Sequence, residues 1–298
     1  MTAVRTVVQA GGFVAGASGS RFRLVSEPSD QQLRGTVIFV HGFAEEMNKS
    51  RRMAARMSRL LAADGWRVVQ RDLCGCGDSS GEFVDASWTA WVDDIDAELA
   101  LAIAGSPVWL WCLRAGALLA PAVLSRHRGV DLLLWQPVLS GAQHLQQFLR
   151  LHSGARIVAA GAVDAGRSPA QTLRAGAPVE VGGYQLSPQL ASGLEQATFD
   201  VPVDFKGRIV WFELTAIDVT ELSPQSARAQ ERLLARGLQV DVHALVGAPF
   251  WQTQEIEESE ALLEQTAVEL RCDRRTGVGS AQQPLAHEER GAVDGRPR

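Results

Sequence analysis

The segment 108–120, VWLWCLRAGALLA, constrains the fold more than any other part of this chain. An apolar run, Val108–Leu110, ends in a turn of small residues, and an Ala/Leu-rich stretch that predicts a helix follows. A strand, tight turn and helix in this order form a nucleophile elbow, in which G-x-S-x-G presents a reactive serine. Aligning Gly116 with the last glycine of that pattern places Arg114 at the serine position. Since a guanidinium stays protonated and cannot attack a carbonyl carbon, either the chemistry is unusual or the fold serves another purpose.

Composition limits the kinds of partner that the protein can bind and the cellular compartment in which we expect it. The chain has 298 residues, of which 46% are hydrophobic and 21% charged, which predicts one core domain with an insertion. A net charge of −5 with scattered basic residues argues against a nucleic-acid partner. The spacing of the four cysteines matches neither a zinc site nor a disulfide framework, so we expect no metal, no other cofactor and a cytoplasmic location. These cysteines are Cys74, Cys76, Cys112 and Cys272.

Two further patterns concern membranes and export. No uninterrupted apolar run approaches the roughly 20 residues that a membrane-spanning helix needs. Gln9, Gly11 and Gly12 interrupt the apolar N-terminal segment, so we expect early β-structure there and not a signal peptide.

Apolar runs alternate with helical patterns along the chain, which predicts an α/β fold with a mostly parallel central sheet and helices on both faces. The predicted strands are Thr36–Val40, Trp66–Arg71, Val108–Leu110, Leu132–Trp135, Arg208–Leu214 and Gln239–Leu245, preceded by antiparallel strands near Val4–Val8 and Arg21–Val25. The predicted helices are Lys49–Ala63, Trp88–Ala104, Ala115–Arg126, Pro224–Arg236 and Glu255–Leu270.

The alternation of predicted strands and helices divides the chain into four parts. Residues 1–140 predict the first part of the core, and residues 204–271 its second part. Between them, residues 141–203 break the rhythm and predict a small cap insertion that covers the site. Residues 272–298 are rich in Gly, Pro, Gln and charge without apolar periodicity, which predicts a disordered tail.

A His-Gly pair directly after the first parallel strand predicts half of an oxyanion hole. His41, Gly42 and Phe43 stand where the following backbone N–H can accept a developing negative charge, with the Ala115 N–H as the second donor. Glu45 and Glu46 follow in the same loop and could reach the cleft. The alternative is a glycine turn whose histidine bonds to a neighbouring loop.

Candidates for an acid and a base are weaker. Asp218, just past the strand Arg208–Leu214, is in the right loop for the acid, although an Asp in a solvated turn is an equal alternative. The loop after the last strand, residues 246–251, contains no histidine. His243 is the remaining candidate base, but it falls inside that strand on the face of Asp241, where a structural role is favoured.

Two other nucleophile candidates fit their surroundings poorly. Gly77–Gly81 matches G-x-S-x-G literally with Ser79 at its centre, but no helix starts after that serine, and a turn is the better interpretation. Cys112 precedes the elbow and is expected to be a small buried hydrophobic residue.

Arg114 itself has two interpretations. It could be a structural arginine paired with Glu45, Glu46 or Asp218 across the cleft. Alternatively, a guanidinium beside converging N–H groups at a helix N-terminus could bind a carboxylate or phosphate.

With these residues laid out, the chain resembles the α/β-hydrolase superfamily from about Val4 to Leu270. More narrowly, it resembles the hydrolase-like proteins associated with the exosortase A (PEP-CTERM) system. The segments that carry this resemblance are HGFAEEMNKSRRM (41–53), RDLCGCGDSSGEF (71–83), LWCLRAGALLA (110–120), LLLWQPVLSG (132–141), QQFLRL (146–151) and GAPFWQT (247–253).

The resemblance implies a cytoplasmic hydrolase connected with exopolysaccharide production or surface-protein processing. The sequence is therefore consistent with two functions. The first is an enzyme acting on an ester, thioester or other acyl substrate at Phe43 and Ala115, with an unidentified base. The second is a pseudoenzyme that binds an anionic ligand or a protein partner through the Arg114 cleft.

Overall fold

The computed structural model describes residues 5–102, 104–160, 167–215 and 221–271, with side chains up to residue 151 in the helix that spans 141–160. The predicted tail at 272–298 lies outside the described residues.

Ten strands are present in the described part of the chain. They are β1 (Val7–Ala15), β2 (Ser20–Pro28), β3 (Gly35–Val40), β4 (Trp66–Arg71), β5 (Val108–Leu113), β6 (Val130–Trp135), β7 (Val179–Val181), β8 (Tyr184–Leu186), β9 (Ile209–Thr215) and β10 (Val240–Val246). Eight of them form one sheet in the order β1-β2-β4-β3-β5-β6-β9-β10, and β7 and β8 form a separate hairpin. In the large sheet, β1 and β2 run antiparallel to their neighbours, and the strands from β4 to β10 are parallel.

Helices cover both faces of this sheet. They are α1 (Glu45–Ala63), α2 (Trp88–Ala100), α3 (Ala120–Leu124), α4 (Gly141–Ala160), α5 (Pro169–Arg174), α6 (Pro188–Gln196), α7 (Pro224–Ala235) and α8 (Glu260–Arg271). Apolar residues of α1 and α8 pack on one face, together with Trp109, Trp111 and Trp135 of the central strands. The other face packs against α2, α3 and α7. The predicted fold class, a mostly parallel sheet with helices on both faces, is confirmed.

The strand order reverses at β3, because the chain passes from β3 to β4 on one side and returns to β5 on the other. Clefts form at such a switch point, beyond the carboxyl ends of the strands. The loop 41–44 after β3 and the turn at Arg114 after β5 therefore lie next to each other at this edge.

The helix predicted over Ala115–Arg126 is not continuous. A 3-10 helix, Arg114–Leu118, follows β5 directly, and α3 begins only at Ala120. Pro121, which has no backbone N–H, lies in the first turn of α3, where that donor is not needed. The elbow is thus tighter than an ordinary α-helical turn.

The interval between β6 and β9, which the sequence predicts to be a cap and which is called the cap below, contains α4, α5, α6 and the β7–β8 hairpin. The side chains of Tyr184 and Ser187 are among those that join it to the core. The Tyr184 hydroxyl donates to Glu45 Oε2 at 2.9 Å, and the Ser187 hydroxyl donates to the Ala86 carbonyl at 2.7 Å. The cap therefore sits on the first turn of α1 and on the segment before α2.

None of the helices in the described ranges is both long and apolar enough to cross a membrane.

A buried ion-pair network fixes β2 and β4 to α2. Arg21 donates from Nε to both carboxylate oxygens of Asp94 at 2.8 and 2.9 Å, and the Cys74 N–H also donates to Asp94 at 2.8 Å. Arg71 donates to Glu98 at 2.8 Å. Buried charges of this kind are stable only as long as each one keeps its partner.

We predict that Asp94→Ala lowers the free energy of unfolding by about 3–5 kcal/mol, because Arg21 is left buried without a counter-charge. The neighbouring Asp93→Ala is the matched control, since Asp93 pairs with Arg126 on the exposed side of the same helix and its loss should cost little. Urea unfolding of the three proteins measures the difference. Equal stability of the two variants would contradict the assignment.

Candidate functional site

The loop after β3 is held by its own histidine. His41 is buried, its Nδ1 lies 2.8 Å from the Gly42 carbonyl, and its Nε2 lies 3.3 Å from the Leu73 nitrogen. Since the Leu73 N–H needs an acceptor, Nε2 is unprotonated and Nδ1 donates. Burial lowers the pKa of His41, so the ring stays neutral. The side chain therefore joins the loops after β3 and β4 and does not face the cleft.

The backbone of the same loop supplies a free donor. Ala44 adopts a φ of 51°, an uncommon value for a residue with a Cβ atom, and α1 starts immediately after it. Within the described residues, the Phe43 N–H donates to no protein acceptor. The Phe43 ring is buried in an aromatic cluster with Phe83, Trp91, His144 and Phe148.

The elbow after β5 packs directly against this loop. A Cβ atom on Gly116 would lie 2.8 Å from the carbonyl oxygens of both Val40 and His41, so only glycine fits there. Ala115 is the second residue of the 3-10 helix, and the first N–H groups of a helix have no acceptor within it. The predicted pair of donors, Phe43 and Ala115, thus belongs to two segments in direct contact.

Arg114 occupies the apex of the elbow with a φ of 53°. A strained residue in a sharp strand-to-helix turn is the geometry in which α/β-hydrolases hold a nucleophile. A non-glycine residue with positive φ costs on the order of 1 kcal/mol, so contacts elsewhere must hold it.

Three contacts hold the Arg114 side chain. Its Nε donates to Glu46 Oε1 at 3.0 Å, and its Nη1 donates to the Gln136 carbonyl at 3.4 Å. Its guanidinium carbon lies 5.1 Å from the ring centroid of Trp251. The guanidinium is therefore largely buried among the ends of β3, β5, β6 and β10. Of the predicted partners, Glu46 forms the pair.

Glu45 and Glu46 diverge although they are adjacent. Glu45 is exposed and accepts from the Tyr184 hydroxyl, so it faces the cap. Glu46 turns towards the elbow, and its Oε2 atom is buried without a hydrogen-bond partner among the described residues. That atom lies over Gly42, 3.3 Å from the position that a Cβ atom there would take.

The cap contributes a histidine that the sequence analysis did not single out. His144, in the first turn of α4, is only 7% exposed, and neither ring nitrogen has a hydrogen-bond partner within the described residues. Its ring packs edge-to-face on Phe43, with centroids 5.8 Å apart. The sequence signal that could have identified His144 is a histidine soon after the end of β6, at the start of the cap.

The charges beside His144 are those of the elbow. Burial lowers the pKa of His144, with the charge of Glu46 acting to raise it and that of Arg114 to lower it. The ring is therefore neutral near pH 7 and offers one donor and one acceptor.

The predicted base does not join this cluster. His243 lies in the middle of β10, stacked on Phe212 at 4.9 Å and 3.0 Å from Glu269 of α8, so it belongs to the sheet face under that helix. Asp218 lies outside the described residues. In the loop after β10, Trp251 is the side chain that meets Arg114.

The other candidate nucleophiles are buried elsewhere. Ser79 donates to the Asp72 carbonyl and accepts from the Phe22 N–H, which joins β2 to the loop after β4. Cys112 is fully buried, and burial raises the pKa of its thiol. Neither group is available as a nucleophile at the elbow.

A cleft of about 370 Å³, partly open to solvent, lies between α4, α5 and α6. Its apolar lining comes from Leu145, Leu149 and Leu173, and Arg174 and Glu195 form an ion pair at its edge. In the described ranges, no three His, Cys, Asp or Glu side chains come together as metal ligands.

Comparisons with known proteins agree with this architecture. The profile of a hydrolase family described as "Serine aminopeptidase, S33" matches residues 31–168. No curated protein sequence matches the chain.

Solved structures are similar over most of the chain. Est1E from Butyrivibrio proteoclasticus, with ferulic acid bound, has a TM-score of 0.61 at 12% identity and covers 87% of this chain and 97% of its own. A soluble variant of monoglyceride lipase from Saccharomyces cerevisiae, in complex with a substrate analogue, gives 0.60 at 13% identity, covering 92% and 98%. A carboxyl esterase from Bacillus coagulans gives 0.56 at 14%, covering 89% and 97%. The chain has the α/β-hydrolase fold.

We predict that the protein loses stability as the pH falls below about 6.5, the ordinary pKa of histidine. Burial lowers the pKa of His41 and His144 in the folded state, so the unfolded chain binds more protons in this range. Urea unfolding at a series of pH values measures this dependence. His144→Phe should flatten it, and an unchanged slope in that variant would contradict a neutral, buried His144.

Proposed function

We propose that the protein binds a neutral acyl compound, such as an ester or thioester, at the cleft between the carboxyl edge of the sheet and the cap. The carbonyl oxygen of the ligand accepts from the N–H groups of Phe43 and Ala115. Arg114 takes the place of the elbow serine, so no acyl-serine intermediate forms there.

The position of Arg114 carries this proposal. The residue at the apex of the elbow is held by Glu46 and Trp251 and has no nucleophilic atom. Neither Ser79 nor Cys112 faces the elbow to replace it. These contacts support a site at the elbow that does not use serine hydrolase chemistry.

The balance of charge favours a neutral ligand. Glu46 already compensates the charge of Arg114, and burial keeps His144 neutral. The two backbone N–H groups suit a carbonyl oxygen, whose negative charge grows during acyl transfer. An ester or thioester meets these requirements without an added charge.

The sequence resemblance supports a class of natural substrate. The similarity to hydrolase-like proteins of the exosortase A (PEP-CTERM) system supports an acyl group linked to exopolysaccharide or to a surface protein. The same similarity supports a cytoplasmic location.

A second candidate is a non-catalytic module that binds an anionic ligand or a protein partner. The observation in its favour is Arg114 itself, since a guanidinium at the start of the 3-10 helix suits a carboxylate or phosphate. An anion would have to displace Glu46 from the guanidinium.

We predict that a fluorophosphonate probe does not label the wild-type protein, because the elbow carries no serine. The probe is incubated with the protein, labelling is read by intact-mass spectrometry, and turnover of p-nitrophenyl esters is measured in parallel. Ser79→Ala should behave as the wild type. Covalent labelling of a serine, located by peptide mapping, would overturn the proposal.

Calorimetric titration separates the two candidates. A neutral aryl trifluoromethyl ketone, whose hydrate mimics the tetrahedral adduct of a carbonyl, should bind the wild type more tightly than acetyl phosphate does. If acetyl phosphate binds more tightly and Arg114→Ala abolishes its binding, the anion-binding module is the correct function.

A further inference from the structure

The cap places an unsatisfied imidazole against the oxyanion loop. His144 meets the ring of Phe43, the residue whose N–H is the free donor of that loop. Glu46, near the start of α1, has its Oε2 atom buried without a hydrogen-bond partner in the part of the chain that the structure describes. Among the described residues, three polar atoms of His144 and Glu46 thus lack partners close to this loop.

Leaving such groups without partners is costly. Folded proteins pair the great majority of their buried donors and acceptors. A packing role alone would favour a phenylalanine at position 144, because the neighbours of the ring include Phe43 and Phe148. The imidazole at this position therefore indicates a polar molecule between the cap and the loop.

We propose that His144 is the general base of this site and activates a water molecule for direct attack on the bound acyl carbonyl. This inference rests on the proposed function, and it supplies the base that the elbow and the loop after β10 do not provide. Glu46 Oε2 accepts the second hydrogen of the same water and orients it.

The reaction needs only water and the acyl compound. The unprotonated nitrogen of His144 takes one proton from the water as its oxygen bonds to the carbonyl carbon. The carbonyl oxygen becomes an oxyanion that the N–H groups of Phe43 and Ala115 stabilise. When the C–O bond of the ester or the C–S bond of the thioester breaks, the protonated ring returns its proton to the departing alkoxide or thiolate.

The surroundings of the ring suit a base that works near neutral pH. Burial lowers the pKa of the ring, and the charged side chains that act on it are Glu46 of α1 and Arg114 of the elbow, which pair with each other. The acid and the alcohol or thiol are the products, and His144 ends in its starting state.

The test compares His144→Gln and His144→Phe with the wild type in p-nitrophenyl butyrate hydrolysis. Loss of a general base should lower kcat by about 10²–10⁴-fold. His127→Gln is the matched control, because His127 pairs with Asp96 on the outside of the core. Intact mass spectra taken during turnover should show no acyl-enzyme, and thermal unfolding confirms that each variant is folded.

A merely structural histidine is separated from a base by two readouts. Free imidazole should restore hydrolysis to His144→Ala, and the acidic limb of the wild-type pH–rate profile should be absent from His144→Gln. Hydrolysis by His144→Gln at the wild-type rate overturns the inference, as does an acyl-enzyme on any residue.

Failure of the two proposals can be told apart. If the wild type binds the trifluoromethyl ketone but does not hydrolyse the ester, His144 is not a base and the binding function stands. If the ketone does not bind, the proposed function itself is wrong, and the assignment of His144 falls with it.

Discussion

The ion pair between Arg114 and Glu46 is the interaction on which the rest of the site depends. It joins the apex of a strained turn after β5 to the first turn of α1, and Trp251 completes the surroundings of the guanidinium. Because the charges of Arg114 and Glu46 compensate each other, the guanidinium offers little net attraction to a further anion. In the proposed function, the groups left for a ligand are two backbone N–H donors and the buried imidazole of His144, beside the carboxylate of Glu46.

Most of the fold could be predicted from the sequence, because buried parallel strands are short apolar runs and the surrounding helices have a clear period. Trp66–Arg71 was predicted with its observed bounds. The bounds of other elements differed, since the first strand was expected near Val4–Val8 and spans Val7–Ala15. At the elbow, propensity favours a continuous helix over Ala115–Arg126. Instead, the close approach of Gly116 to the carbonyls of Val40 and His41 accompanies a tight 3-10 turn. Tertiary contact overrode local preference at that point.

The site was only partly predictable. Proximity of the loop 41–46 to Arg114 follows from strand order, and the pairing with Glu46 was among the expected alternatives. His144 was missed because it belongs to the cap, and no hydrophobic periodicity in the sequence shows how the cap crosses the sheet. His243 was considered because the loop after β10 contains no histidine, but alternation along β10 directs it towards α8. Contacts between an insertion and a core depend on three-dimensional packing that single-sequence patterns do not contain.

Adjacent residues at the start of α1 face in different directions. Glu45 contacts the cap through Tyr184, and Glu46 contacts the elbow through Arg114. The first turn of α1 is therefore attached both to the cap and to the elbow. Tilting that turn would strain both attachments together. A molecule that displaces the hairpin β7–β8 as it binds would therefore also weaken the contacts of the Arg114 guanidinium. Binding in the cleft and the conformation of Arg114 would then be thermodynamically linked.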